Sequence, residues 1–461
     1  MLFIISLFRV IALNGFFLFA ENLISYYFPL TLLLICGFYL TFKGRFFQIT
    51  KFPASVKLIL KAVTSKKQKN SSINSLQSAC TALAATVGTG NIAGVAGAVS
   101  IGGAGAIFWM WISAFLGMAI KYAEITLAIR FREKNVEEYV GGPMFYIKRK
   151  FPHKFKFLSY IFAFCCIPAT FCTGNITQSN AAIFSVSENF YIRLIMGIIF
   201  AVLTFVVIFG GSSRIGLFTE KTVPVMSFIY IALALGVIII NIEFLPIAFK
   251  MIIRGAFNPK AVTGGCVGSV LSCIITGASR GVFSNEAGLG TSAMAHSSAF
   301  DANESTQGLF GVFEVFVDTI LICTLTGLTI LCSGVNIKYG SIASCELVGK
   351  ALSADYGNIS SVMLSVMMCF FGFSSIIGWA LYGNICSKFL FGKKGKILFC
   401  AFYPLGSVLG AISSVETAWR ISEFFNGIML CINLSALLFL NDDFFNILKG
   451  MKFNGKKDRK N

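Results

Sequence analysis

The sequence predicts an all-α polytopic membrane protein of about eleven transmembrane helices, in which one extra span precedes two five-helix repeats of opposite orientation. Three observations carry this prediction. The chain is far more apolar than a soluble protein, two of its apolar segments are interrupted by glycines, and a short motif recurs in both of these segments.

Composition places the chain in a lipid bilayer. Of its 461 residues, 56% are hydrophobic and only 13% are charged, and the mean hydropathy is +0.79. A soluble globular protein carries about twice that share of charged residues. Because a bilayer core requires about 20 apolar residues per helix, the predicted spans are 28–46, 73–99, 104–131, 155–185, 191–210, 217–241, 261–295, 305–332, 356–391, 394–413 and 417–440.

These spans form one membrane domain with short connections. The apolar start of the chain shows no signal-cleavage pattern, so we assign residues 1–27 to a peripheral or interfacial N-terminal segment. The further divisions are 28–72 (first span and cytoplasmic surface segment), 73–241 (first five-helix repeat), 242–260 (outer connection), 261–440 (second five-helix repeat) and 441–461 (basic cytoplasmic tail).

The net charge of +18 is distributed as in a membrane protein rather than a nucleic-acid-binding protein. With eleven spans, about 28 of the 38 Lys and Arg residues fall on one side, which the positive-inside rule identifies as cytoplasmic. The C-terminus is therefore predicted to be cytoplasmic. The lysine-rich tail from Lys449 is interpreted as a solvated segment, and no nucleic-acid partner is expected.

The segment from Thr86 to Trp111 is too apolar for a soluble loop and too rich in glycine for an unbroken helix. Gly88 and Gly90 directly precede Asn91 within it. An interrupted helix is tolerated at membrane depth only where its open peptide groups are buried in protein or line a cavity. Paired interruptions in the two halves of a chain point to the binding site of a secondary transporter.

A second interruption is predicted because the motif NIAGVA, which begins at Asn91, recurs as NEAGLG from Asn285. A glycine follows each asparagine by 26 residues, and an acid, Glu124 or Asp318, follows each by 33. We interpret this register as an internal repeat. Five spans, an odd number, separate the two copies, so the second copy enters the membrane from the opposite side.

The two interruptions offer peptide groups of both signs, because helix N-termini expose N–H donors and helix C-termini expose carbonyls. A zwitterionic amino acid suits such a pair of breaks. Its carboxylate is expected near residues 88–91, and its ammonium near the carbonyls of Phe283 and Ser284. A small cation is expected at the carbonyls between Ala84 and Val87.

Two polar side chains within apolar segments are candidate ligands. Asn91 either holds the substrate carboxylate through its amide or caps the helix beside its glycine neighbours. Gln178, in TFCTGNITQSN, either faces the cavity or hydrogen-bonds another helix. The sequence leaves both alternatives open.

Ser374, Ser375 and Trp379 form a further group, in FFGFSSIIGWALYGN. Adjacent hydroxyls are hard oxygen ligands for a small cation, and an indole one turn later limits the size of a substrate. The alternative is small-residue helix packing with an interfacial tryptophan. The position of Trp379 near the middle of its span favours the binding site.

Four charged residues are candidates for coupling or gating. Glu124 and Asp318 each cost about 3 kcal/mol if they are ionised at the bilayer centre. The alternative is a structural role, with Glu124 paired to Lys121 one turn earlier and Asp318 paired to Arg280. Arg280 and Glu286 lie on either side of the second interruption, where gating contacts are expected.

Five motifs resemble those of the alanine/glycine:cation symporter family: TALAATVGTGNIAGVAGAV, GGAGAIFWMWISAFLGMAIKYAE, GGPMFYI, GVFSNEAGLGTSAMAH and GFSSIIGWALYG. The resemblance covers nearly the whole chain from about residue 28. It implies eleven spans with a leucine-transporter-like core. It also implies uptake of alanine or glycine driven by Na+, with H+ as the alternative coupling ion.

The resemblance also implies roles for single residues. The implied substrate pocket is lined by Asn91, Gln178, Phe283, Ser375 and Trp379. The implied sodium site uses the carbonyls of Ala84, Val87 and Phe371 with the hydroxyls of Ser374 and Ser375. Ala104 stands where the family has the proline of GGPGA, which loosens the outer turn. Serines stand at 374 and 375 where threonines are common, which leaves the ion affinity open.

We therefore expect a bacterial inner-membrane symporter that imports a small neutral amino acid with Na+ by alternating access. The expected partners are the substrate and the lipid bilayer, without an organic cofactor or an obligate protein partner. The alternatives are a carrier of the same fold that moves another small solute with H+, and an ion channel. No HExxH or paired-histidine motif indicates a membrane enzyme.

Overall fold

The computed structural model describes residues 23–64, 73–134, 138–265, 269–340, 345–414 and 416–450. Most of the predicted N-terminal segment and the end of the basic tail lie outside these residues. The described chain is mostly helical. Its two-stranded sheet pairs Glu133–Lys134 with Tyr139–Val140 in an antiparallel hairpin.

The first span begins earlier than the predicted residue 28. A π-helical turn, Leu23–Tyr27, leads into the helix Phe28–Lys43. The prediction missed this turn because Ser25, Tyr26 and Tyr27 weaken the hydropathy signal. A short helix, Phe47–Thr50, then leads to the predicted surface helix, Phe52–Thr64.

The first repeat begins with the predicted interruption. The helix Ser75–Thr86, the 3-10 turn Thr89–Asn91 and the helix Ala93–Gly102 form one broken segment, bent by 53°. The remaining helices are Gly105–Arg130, Pro143–Lys150, the 3-10 turn His153–Phe155, Phe157–Ala169 continuing through the π-helical Thr170–Ile176 into Thr177–Phe184, Phe190–Phe209 and Gly211–Ile240. The connection to the second repeat is also helical, with Ile242–Phe244, Leu245–Phe257 and Pro259–Thr263.

The second repeat begins with the second interruption, at residues 286–290 between the helices Val270–Asn285 and Thr291–Ser297. The remaining helices are Glu304–Val315 continuing through the π-helical Phe316–Cys323 into Thr324–Cys332, Cys345–Tyr356, Ile359–Phe402, Leu405–Ile412, Glu416–Phe439 and Asn441–Gly450. Gly392 has a left-handed φ of 65° and divides the long helix Ile359–Phe402 into two.

Eight helices of the described chain are long and apolar enough to cross a membrane, and the bent pair Ser75–Gly102 makes nine. The helical stretch Ile359–Ile412 holds two predicted spans joined at Gly392, and the second broken segment supplies another. Each of the eleven predicted spans therefore has a helical counterpart.

The helices that follow the two interruptions pack against each other at the centre of the molecule. A Cβ at Gly311 would lie 2.3 Å from the Ile125 side chain, so this crossing depends on glycine. The crossing brings Glu124 and Asp318, both fully buried, beside the two breaks.

Glu138 connects the hairpin region to the helix Ile359–Phe402. Its Oε1 accepts a hydrogen bond from Lys388 Nζ at 2.7 Å. Burial raises the pKa of Glu138, but the hydrogen bond and the charge of Lys388 outweigh burial. The pKa of Glu138 therefore lies below its ordinary value.

Candidate functional site

Asn91 joins the two breaks. In the first break, defined as residues 87–92, its Oδ1 accepts a hydrogen bond from the Gly88 N–H at 2.9 Å. Its Nδ2 donates to Ser284 Oγ at 3.0 Å and to Asp318 Oδ1 at 2.7 Å. Asn91 is fully buried, so this one amide both caps the first break and links it to the second broken helix.

Gln178 faces the first break from the third span of the first repeat. Its Oε1 accepts hydrogen bonds from the Thr89 N–H at 3.1 Å and from Thr89 Oγ1 at 2.8 Å. A Cβ at Gly88 would lie 2.9 Å from the same oxygen. Thr89 is the residue of this group that the sequence did not indicate, although it lies between the two predicted glycines.

The side chains implied as sodium ligands lie beside the end of the first half-helix. Ser375 Oγ donates to the Ala84 carbonyl at 3.0 Å, and Ser374 Oγ donates to the Phe371 carbonyl at 3.0 Å. All four residues and Val87 are fully buried. The Ala84 carbonyl lies in the last helical turn, where carbonyls lack intrahelical partners. Oxygen atoms of two separate helices therefore meet here.

The carbonyl end of the helix Val270–Asn285 remains available. Among the described residues, no backbone N–H donates to the carbonyls of Phe283 or Ser284. The N–H group that would reach the Phe283 carbonyl in a continuous helix is redirected, since Ala287 donates to Asn285 Oδ1 at 3.0 Å. Two carbonyls thus remain open at the second break, which is defined as residues 286–290.

Two aromatic rings pack together beside the breaks. The Phe283 ring lies 4.7 Å from the Trp419 ring, and a Cβ at Gly90 would lie 3.5 Å from Phe283. The Arg280 guanidinium lies over the Trp419 ring, 5.2 Å from its centre. Trp379 is buried against Gly174 of the third span, where an added Cβ would approach it to 2.3 Å.

Asp318 does not pair with Arg280, which corrects one of the alternatives drawn from the sequence. Its Oδ2 accepts from Ser284 Oγ and from Thr319 Oγ1, both at 2.7 Å, and its Oδ1 accepts from Asn91. Within the described residues, no Lys, Arg or His nitrogen lies within 4.0 Å of this carboxylate. Arg280 instead lies 5.2 Å from the Trp419 ring.

Glu124 does not pair with Lys121, which corrects the other alternative. Lys121 Nζ lies 3.3 Å from Glu314 Oε1 and donates to Ser292 Oγ at 2.7 Å. His296 Nε2 lies 3.1 Å from the second oxygen of Glu314. This buried cluster was missed, although Glu314 lies one turn before Asp318 in an apolar segment, and an ionisable residue there marks a functional site by default.

Glu286 lies inside the second break rather than beside it. Its φ of 55° is uncommon for a residue other than glycine, and its Oε2 accepts a hydrogen bond from Thr291 Oγ1 at 2.5 Å. This contact links the break to the first residue of the second half-helix. The position fits the expected gating role, which the structure does not test.

The comparisons with known proteins identify the family of the chain. The profile of the sodium:alanine symporter family matches residues 11–461. A protein named sodium/alanine symporter AgcS, from Methanococcus maripaludis, is 38% identical and covers 94% of this chain and 96% of its own length. A protein named probable sodium/glutamine symporter GlnT, from Bacillus subtilis, is 34% identical and covers 91% and 87%.

Among solved structures, MhsT in complex with L-phenylalanine covers 81% of this chain and 97% of its own, with a TM-score of 0.56 and 13% identity. This likeness concerns the fold alone and confirms the leucine-transporter-like architecture. The family match spans nearly the whole chain. The chain therefore belongs to the sodium:alanine symporter family and is a multi-pass, sodium-coupled amino acid symporter, not an enzyme.

Proposed function

We propose that this protein imports alanine or glycine together with Na+ by alternating access across a bacterial inner membrane. The observation that carries the proposal is the meeting of the two helix breaks through Asn91, Ser284 and Asp318. In a leucine-transporter-like fold, solute binds at such paired breaks near the midplane.

The substrate carboxylate binds at the first break. The N–H groups of Gly88 and Thr89 are now held by neutral amide oxygens of Asn91 and Gln178, and a carboxylate is a stronger acceptor than an amide. The ammonium binds at the open carbonyls of Phe283 and Ser284. The first break is closely packed, since a Cβ at Gly88 would lie 2.4 Å from Ser375 Oγ, and this packing favours a small substrate.

Na+ binds between Ala84, Val87, Phe371, Ser374 and Ser375. The two serine hydroxyls now donate to carbonyls, and turning their O–H bonds away presents lone pairs to a cation. Since the ligands come from two helices, binding holds these helices together. Asp318 is the charged group beside the substrate, and we assign it to coupling.

Alternating access requires contacts at both ends of the site to open in turn. On the inner side, Asp301 Oδ1 accepts from the Ser75 N–H at 2.7 Å, and the Phe300 N–H donates to the Ile73 carbonyl at 2.9 Å. On the outer side, Phe283 lies against Trp419. A potential of about 100 mV supplies about 2.3 kcal/mol per cation, which is sufficient for concentrative uptake.

The test is uptake of labelled alanine into proteoliposomes, with the Na+ gradient, the pH gradient and the membrane potential imposed separately. We expect uptake to require inward Na+ and to be competed by glycine. Uptake that persists after removal of both the Na+ and the proton gradient would refute coupling. Uptake driven by a pH gradient without Na+ would favour the proton-coupled alternative.

The relative named as a glutamine symporter raises the question of substrate size. In Trp379→Ala, the space now filled by the indole beside Gly174 becomes available, so we expect glutamine to compete with alanine better than in the wild type. Competition by a panel of amino acids measures this change. A wild-type protein that already prefers glutamine would overturn the assignment of alanine or glycine.

A further inference from the structure

The second break is held by a carboxylate of the protein itself. Oε1 of Glu124 accepts a hydrogen bond from the Gly290 N–H at 3.1 Å and from Asn433 Nδ2 at 2.5 Å. The same Nδ2 donates to the Gly288 carbonyl at 2.8 Å. Tyr146 donates to Asn433 Oδ1 and so fixes the orientation of the amide.

Two glycines determine the backbone conformation of the second break. Gly288 and Gly290 both have left-handed φ values, of 93° and 75°, and such turns form concave sites that favour an anion. The Gly288 backbone lies beside the Glu124 carboxylate as well. Glu124 is fully buried, and its Oε2 has no hydrogen-bond partner among the described residues.

The first break differs in the groups that hold it. Its N–H groups at Gly88 and Thr89 are bound by neutral amide oxygens, which a substrate carboxylate can replace. The carboxyl group of Glu124 already occupies the second break. A zwitterion is therefore directed to bind with its carboxylate at the first break only.

We propose that Glu124 is a positioning residue: its carboxylate is the resident anion of the second break, which it holds in the geometry that transport requires, and it thereby fixes the orientation of the substrate. The proposal rests on the proposed function for its transport readout only. Its stability readout is independent of substrate.

The experiment is chemical rescue of Glu124→Ala. The substitution removes Cγ, Cδ and both carboxylate oxygens, and acetate has the same four heavy atoms. We expect alanine uptake to fall by about tenfold or more and acetate to restore it saturably. Acetamide, of the same shape without the charge, should not restore uptake, and propionate should restore less because it is larger.

The second readout is thermal unfolding in detergent. Acetate should raise the midpoint of Glu124→Ala and leave that of the wild type unchanged, whether or not the wild type transports alanine. The control is Glu304→Ala, which removes a partly exposed carboxylate paired with Arg130 at 3.1 Å. This variant should keep its uptake and show no response to acetate.

Wild-type uptake by Glu124→Ala would overturn the proposal, as would a folded, inactive variant that acetate neither stabilises nor rescues. If Glu124→Ala does not fold even in acetate, Glu124→Gln decides. Alanine uptake by Glu124→Gln equal to that of the wild type would overturn the proposal that a carboxylate is needed. A loss of uptake of about fivefold or more, at an unchanged midpoint of thermal unfolding, would support it. If the wild type itself takes up no alanine, the proposed function is wrong. The effect of acetate on the thermal unfolding of Glu124→Ala would still test the role of Glu124.

Discussion

Ser375→Ala removes one hydroxyl from the proposed sodium site and leaves the rest of the side chain in place. In the structure this hydroxyl is fully buried and lies 3.0 Å from the Ala84 carbonyl. A hydrogen-bonding contact with a charged partner contributes about 1.5–3 kcal/mol. Because each 1.4 kcal/mol corresponds to about tenfold in affinity, the Na+ concentration for half-maximal uptake should rise by about 10- to 150-fold.

The assay is alanine uptake into proteoliposomes over a range of Na+ concentrations, at saturating alanine. Ser361→Ala is the matched control, since Ser361 is exposed on the same helix and, among the described residues, donates only to the Asn358 carbonyl. Ser375→Thr keeps a hydroxyl and should retain most of the affinity. An unchanged Na+ dependence in folded Ser375→Ala, with a weaker alanine affinity, would refute the reasoning and assign Ser375 to the substrate pocket alone.

Two further predictions concern the first break. Gly88→Ala should abolish uptake, because its Cβ would lie 2.4 Å from Ser375 Oγ, whereas Gly94→Ala, with no atom within 4 Å, should keep wild-type uptake in the same assay. Asn91→Asp places a second carboxylate against Asp318; two charges about 4 Å apart repel by about 4 kcal/mol at an effective dielectric of 20, so uptake should fall by about a hundredfold or more. The exchange Asn91→Asp with Asp318→Asn should recover part of that loss in a double-mutant cycle, and a double variant no better than Asn91→Asp would contradict the pairing.

The sequence was sufficient to predict the spans and both breaks, because these depend on local properties. Glycine density around Asn91 opposes a continuous helix in any surroundings, and the repeated motif placed the second break at Asn285. The first span was displaced, since the polar groups near Tyr27 conceal an additional turn. The second half-helix after Gly290 has only seven residues, too few to be recognised by hydropathy.

The ionic contacts could not be predicted in the same way. Lys121 and Glu124 are neighbours on one helix surface, which favours their pairing in an isolated helix. In the folded protein Lys121 reaches Glu314 of another helix instead, and the choice depends on how two helices cross. Arg280 likewise lies 5.2 Å from the Trp419 ring, a contact that spacing along the chain does not reveal.

Glu124 and Asp318 occupy equivalent positions in the two repeats, and the structure shows contacts of both that spacing along the chain does not predict. Each acid follows the motif asparagine of its own repeat, Asn91 or Asn285, by 33 residues. Asp318 nevertheless binds Asn91 of the first break, and Glu124 binds Gly290 of the second. Each repeat therefore holds the break of the other. The partners differ, since Glu124 binds the Gly290 N–H and the Asn433 amide, while Asp318 binds side chains that also face the proposed substrate. A contact with backbone resists exchange, whereas side-chain hydroxyls and amides can turn towards a ligand. These contacts fit the two roles proposed above, in which Glu124 maintains the site and Asp318 takes part in coupling.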